Sequence, residues 1–339
     1  MNIERVHKIL QDQPKFRLKQ VYKTIFSDLA ESWEENTTLP KDIKARLIEE
    51  CPLEIDAEIF DSKKSDAIKA LLKLEDGGEV EAVLLLHNDG RRTVCVSSQV
   101  GCALGCRFCA TGTMGRKRNV TTSEILSQVL LFARYMNNVK KWKKHNRVTN
   151  IVFMGMGEPF MNYDNVMDAL RLLNDKDGMG IGARHMSVST SGIVDGIRKF
   201  TEEPMQINLA ISIHAPTDEL RSMLMPINRK YPLDELMEAV EEYANKRGRQ
   251  VMFEYIMLDG VNDSIEHARQ LAYLLKHPLY MVNLIRYNPT GTFQPSKPHA
   301  INSFKLALME RGVRVTQRQT FGQDIDAACG QLALKNKKK

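Results

Sequence analysis

"VGCALGCRFCATG", from Val100 to Gly112, gathers three of the six cysteines in a chain of 339 residues. Cys102, Cys106 and Cys109 are spaced C-x3-C-x2-C, just after the strand-like run "TVCVSS". Three is an awkward number for structural zinc, which takes two separated pairs or cysteines completed by histidines at ligand spacing. No such second half lies nearby. Thiolates also bind the irons of iron–sulfur clusters, and one short loop can cover three corners of a four-iron cluster. One iron then has no protein ligand, which favours catalysis over simple electron transfer. On spacing alone, zinc and incidental cysteines stay open as alternatives.

Downstream of this stretch the pattern alternates. Strands are predicted at 148–154, 184–190, 206–213, 250–257, 280–286 and 313–318. Between them lie helical patterns such as "TSEILSQVLLFARYM", "NVMDALRLLN", "LDELMEAVEEYANK" and "INSFKLALMER". Thr121 stands three residues before Glu124, the spacing of a capping box. Strands alternating with helices argue for a parallel sheet, either open and doubly wound or a complete or partial β/α barrel. Function then sits in loops at the carboxyl ends of the strands.

Upstream, "GGEVEAVLLLHNDGRRTVCVSS" gives two β-rich stretches around the turn Asn88-Asp89-Gly90. The segments before it, from "IERVHKIL" to "SDAIKALLKL", read as helical. We therefore divide the chain into an N-terminal helical region, 1–78, and a core, 79–339.

Hydrophobic residues make up 43% and charged residues 27%, an ordinary globular balance. No run approaches a membrane span, and the N-terminus lacks the apolar core of a secretory signal. A cytoplasmic location is expected, where clustered thiols bind metal or do chemistry rather than form disulfides. The net charge is +6. Basic clusters fall at "GRKRN" (115–119), "KKWKKHNR" (140–147), "NKRGR" (245–249) and the tail "KNKKK". They hint at a polyanionic partner.

C-x3-C-x2-C followed by an α/β repeat resembles the radical S-adenosylmethionine (SAM) superfamily. Nine ordered blocks, including "CVSSQVGCALGCRFCATG", "NIVFMGMGEPFMNYDNV", "NLAISIHAP", "NLIRYNPT" and "DIDAACGQL", resemble the RlmN family. The sister Cfr enzymes share most of them. The resemblance implies an α/β fold, a partial (β/α)6 barrel with a small N-terminal helical accessory domain. It implies a [4Fe-4S] cluster on Cys102, Cys106 and Cys109, with SAM on the open iron. SAM contacts carried over are Gly157, Glu158, Ser189, Ser212, Ile213, His214 and Asn288.

The implied activity is methylation of C2 of adenosine in 23S rRNA, at the peptidyl transferase centre, and in tRNA, 3′ to the anticodon. Cfr-type methylation at C8 is the alternative within the class. A non-catalytic RNA-binding iron–sulfur or zinc protein is the alternative outside it. Adenine C2 is electrophilic, so ordinary SN2 transfer from SAM cannot methylate it. The family solution, using two SAM per turnover, makes Cys329 a methyl carrier through S-methylcysteine. Cys95 resolves the resulting protein–RNA crosslink by a transient disulfide. Glu81 matches the proton acceptor. Arg116, Lys117 and Arg118 are candidates for phosphate contact. A flavodoxin-like or ferredoxin-like electron donor is expected, and no membrane partner. Cys51, with no motif around it, reads as structural.

Overall fold

Three short helices open the chain: α1 (Ile3–Ile9), α2 (Phe16–Tyr22) and α3 (Lys41–Glu50). Asn2 caps α1 by accepting the Arg5 N–H at 2.9 Å. Their apolar faces close around Trp33, whose indole N–H donates to the Cys51 carbonyl at 2.7 Å. Cys51 is fully buried there. The computed structural model describes residues 1–64, 66–139 and 147–332. Of the basic clusters, "KKWKKHNR" except Arg147, and the tail "KNKKK", lie outside the described residues.

Strands β1 (Ala57–Asp61), β2 (Ala67–Lys73), β3 (Glu79–Leu86) and β4 (Arg92–Cys95) then form an antiparallel meander. The turn between β3 and β4 places Gly90 at φ 91°, a left-handed conformation that glycine tolerates. "SDAIKALLKL" is here a correction: residues predicted as helix form β2. Ala67 to Leu72 are buried without interruption between β1 and β3. A short apolar run buried on both faces carries no period that separates strand from helix.

The hairpin of β5 (Gln99–Cys102) and β6 (Gly115–Asn119) stands apart as a two-stranded sheet. Then comes α4 (Thr122–Asn138), opened by the expected capping box of Thr121 and Glu124. β7 (Asn150–Phe153), α5 (Tyr163–Asn174), β8 (Met186–Thr190), α6 (Val194–Thr201) and β9 (Asn208–Ser212) follow. Next are α7 (Asp218–Leu224), α8 (Leu233–Arg247), β10 (Val251–Met257), α9 (Ile265–Leu274), β11 (Tyr280–Arg286), α10 (Pro298–Met309) and β12 (Arg314–Gln317).

The ten-stranded sheet has the order β1-β2-β3-β4-β7-β8-β9-β10-β11-β12. From β4 onward every neighbouring pair is parallel. Helices fill each crossover between consecutive parallel strands. This is a partial (β/α)6 barrel, extended at one edge by three antiparallel strands. It gathers the carboxyl ends of seven parallel strands on one side, where such folds build their sites.

Candidate active site

The three-cysteine loop is clamped over the carboxyl ends of β9, β10 and β11. Leu104 and Phe108, between the cysteines, bury their side chains in an apolar cluster with Leu224, Met225, Ile256 and Tyr287. The Arg107 N–H donates to the Leu224 carbonyl at 3.0 Å. Gly101 sits at φ 77°, and a Cβ there would lie 1.9 Å from the Gly115 carbonyl oxygen. Only glycine lets the β5–β6 hairpin close at that point. Cys102, Cys106 and Cys109 all line one cavity.

The C-terminal segment contributes Cys329 to the same cavity. It is tied to the cluster loop, since the Ala110 N–H donates to the Gly330 carbonyl and the Thr111 hydroxyl to the Leu332 carbonyl. Farther back, Asp324 accepts from the Ser62 hydroxyl and the Lys63 N–H, both at 2.8 Å, tying the segment to the β1–β2 turn. Cys95, at the end of β4, lines the same cavity and is a free thiol like Cys329. Burial pushes the Cys95 thiol up to about 12, opposed by the charge of Arg318. Burial likewise raises the Cys329 thiol, again opposed by Arg318. Arg318 follows β12 and touches the Met154 sulfur at 3.4 Å. Burial disfavours its charge, but Cys329, Glu254 and Cys95 outweigh that and raise it. Sequence reasoning missed Arg318 and Glu254, which no local motif marks.

The remaining walls carry most of the residues singled out from sequence. Gly157, Glu158, Ser189, Ser212, His214 and Asn288 all line the cavity. Gly157 adopts φ 97°, and a Cβ there would strike Gln99 at 2.5 Å. Glu158 is fully buried: its carboxylate accepts the Phe160 N–H at 3.0 Å and the Ser191 N–H at 2.7 Å. Burial raises its carboxyl above the usual range, against those hydrogen bonds. His214 has φ 56° and its Nδ1 accepts the Ile256 N–H at 3.1 Å, which leaves the ring proton on Nε2. Burial holds this imidazole down to about 3, so it is neutral.

Ile213 is placed differently. Its side chain is wholly buried outside the cavity wall, and its carbonyl accepts from Arg221 Nε at 3.2 Å. Arg221, also missed from sequence, is completely buried and donates further to the Ser191 and Ser212 carbonyls and to Asn228. It pins the ends of β8 and β9 together. Asn288 donates to the Cys329 carbonyl at 3.2 Å and accepts from Gln323, so it also fixes the C-terminal segment.

Glu81 is not in the cavity wall. It lies on β3 on the same face as the wall residues Val83 and Leu85, but its carboxylate is 2.9 Å from the Lys69 ammonium. The basic cluster "GRKRN" forms strand β6. Arg116 and Lys117 project from it exposed. Arg118 instead makes paired contacts with Asp76 and Glu124 at 2.6 to 2.8 Å. Its guanidinium is committed within the protein.

Among the described residues no three His, Cys, Asp or Glu side chains close around a single ion position. The cysteine loop nevertheless fits a cluster by its chemistry. Burial raises Cys102 to about 11 and raises Cys106 further, with the neighbouring thiolates adding to both. Thiolates so arranged need a cationic body between them.

A parallel partial barrel with a three-thiol loop over its strand ends defines a radical SAM enzyme, and residues 96–272 match the model of the radical SAM superfamily. A radical SAM methyltransferase from Sphaerobacter thermophilus superposes with a TM-score of 0.91 and is 43% identical, covering 98% of this chain and 97% of that one. "Probable dual-specificity RNA methyltransferase RlmN" of Bacillus cereus (strain ATCC 14579) is 45% identical over 331 residues, 97% of this chain and 90% of the relative. The protein of that name from Bacillus anthracis (strain CDC 684) matches to the same extent. The chain belongs to the RlmN family. No helix among the described residues is long and apolar enough to cross a membrane.

Proposed function

We propose that this chain methylates C2 of adenosine in 23S rRNA and tRNA, with Cys329 as methyl carrier and Cys95 as resolving thiol. The observation that carries this reading is the meeting of Cys95 and Cys329 in the cavity lined by Cys102, Cys106 and Cys109. A non-catalytic binding module has no use for two free thiols at that place.

Cys102, Cys106 and Cys109 would hold a [4Fe-4S] cluster, and the walls at Gly157, Glu158, Ser189, Ser212, His214 and Asn288 would hold SAM. When bound, these groups supply the methyl group and the one-electron chemistry that activates it. The chain's own part is positional. Asn288 and the Thr111 contact hold the Cys329 loop against the cluster loop. Apolar wall residues, among them Val83, Leu85, Phe153 and Ile285, exclude water from the reacting atoms. The Cys95 thiolate attacks the Cys329 sulfur: an S–S bond forms, and the bond from that sulfur to the carbon on the base breaks. That carbon keeps the electron pair and takes a proton to become the methyl group. This leaves a Cys95–Cys329 disulfide that an external thiol reduces. Glu81 takes the proton from C2. Arg116 and Lys117 position RNA through phosphates, and a flavodoxin-like or ferredoxin-like donor supplies electrons.

Mass spectrometry of nucleosides from 23S rRNA and tRNA treated with the reconstituted enzyme tests the reading. We expect 2-methyladenosine; 8-methyladenosine would instead place the chain with Cfr-type chemistry. Cys95→Ala is expected to trap a covalent protein–RNA adduct, and Cys329→Ala to abolish adduct and product alike. Normal turnover by Cys95→Ala would end the two-cysteine scheme.

A further inference from the structure

Lys69 and Glu81 form an ion pair at 2.9 Å with both side chains almost wholly shielded, 6% and 3% exposed. Charges are rarely taken out of water without a use, because the desolvation cost rivals the attraction gained. The pair sits on the face of the sheet that carries the chemistry. Lys69 on β2 is directly opposite Val83 on β3, and Val83 is directly opposite Cys95 on β4. Directly opposed residues share a face, so Lys69, Val83 and Cys95 form one row across three strands. Glu81 is on this face too, one alternation beyond Val83, level with Ser97, whose hydroxyl donates to the Glu81 carbonyl. Lys69 is steadied from β1, where its ammonium lies 5.3 Å from the centre of the Phe60 ring.

Resting on the reading of Glu81 as proton acceptor, we propose that Lys69 is its positioning residue: the buried ammonium holds the carboxylate in one orientation on the cavity face of β3. A base must lie within hydrogen-bond reach of the proton it takes, so its orientation decides whether it can act. Groups facing Glu81 include Lys69 and Leu71 from β2, Cys95 and Ser97 from β4 and its continuation, and Met156 from the loop after β7. Along β3 the same face carries Glu79, which pairs in register with Lys73. The Lys69 ammonium is in direct contact with the Glu81 carboxylate. In the step itself the proton moves from C2 to a Glu81 oxygen and the C–H electron pair stays with the adenine.

The test compares Lys69→Met, Lys69→Arg and Glu81→Gln in the full reconstituted chain, reading Cys329 self-methylation by protein mass beside the rate of RNA product formation. Lys69→Met is expected to self-methylate normally but to lose about tenfold in product, because the base is no longer held in place. Lys69→Arg, which keeps the charge and can restore the contact, is expected to keep most of the parent's product rate, and this variant decides the matter if Lys69→Met does not fold. Product made by Glu81→Gln at the parent's rate would remove the base reading and this proposal with it. An inactive Glu81→Gln beside a Lys69→Met with the parent's product rate would overturn the role of Lys69 alone, as would a self-methylating Lys69→Arg that makes no product.

Discussion

The side-chain amide of Asn288, just past the end of β11, donates to the backbone carbonyl of Cys329 at 3.2 Å, and its oxygen accepts from Gln323. One residue at the end of a barrel strand thus fixes both the loop that bears Cys329 and the approach to it. Asn288→Ala removes two hydrogen bonds, each worth about 0.5–1.5 kcal/mol net. Because this bond is made at Cys329 itself, whereas the Ala110, Thr111 and Asp324 contacts hold its neighbours, we expect product formation to fall at least tenfold and Cys329 to become more readily alkylated by iodoacetamide. Alkylation followed by peptide mass spectrometry measures this, and an unchanged alkylation rate would count against the anchoring role.

Arg221 is the tie between β8 and β9. Replacing it with Met leaves the Ser191, Ser212 and Ile213 carbonyls short of a buried donor. The cost is on the order of 3 kcal/mol. A thermal melt should move down by several degrees, and SAM affinity should weaken because Ser212 and the Ser191 segment lose their frame.

Stability of the cluster-free protein should fall at alkaline pH. The Cys95 thiol is raised in the folded state from an ordinary 9.0 to about 12. The folded state therefore holds this proton more tightly than the unfolded chain does. Its contribution is complete below about pH 9 and is lost as pH rises from about 9 to about 12. Melting temperature against pH should show this slope, and Cys95→Ala should flatten it.

The Arg318 charge acts on both the Cys95 and the Cys329 thiols. Arg318→Gln removes the charge that opposes burial at Cys329, so fewer of these thiols ionise at neutral pH. Self-methylation of Cys329 should slow by about tenfold, a change of one pKa unit in the thiol. Protein mass over a single turnover reads it directly.

The three basic residues of β6 should part company. Arg116→Glu and Lys117→Glu are expected to weaken RNA binding and each to lower the salt dependence of binding by roughly one phosphate contact. Arg118→Ala should lower the melting temperature with little change in that slope, since its guanidinium serves Asp76 and Glu124. Filter binding across a salt series, beside thermal melts, separates the two behaviours.

The cysteine spacing, the alternation of strand and helix, and the turn at Asn88-Asp89-Gly90 are local facts, and local chemistry fixes them. So the barrel, the three-thiol loop and the strand-end placement of Glu158, Ser189, Ser212, His214 and Asn288 were legible in the chain. β2 was not, because a strand buried on both faces carries no periodicity of its own. Nor was the role of Arg118, whose basic run looks solvated until Asp76 is brought beside it. Arg318, Glu254, Arg221 and Lys69 stand in no motif. Their meaning comes from charges brought together across distant strands in a place with little water, where each partner alters what the other costs to bury. The sequence determined which three cysteines share one short loop. Only the packed sheet decided that Cys95 and Cys329 share a cavity with them, and that Glu81 pairs with Lys69.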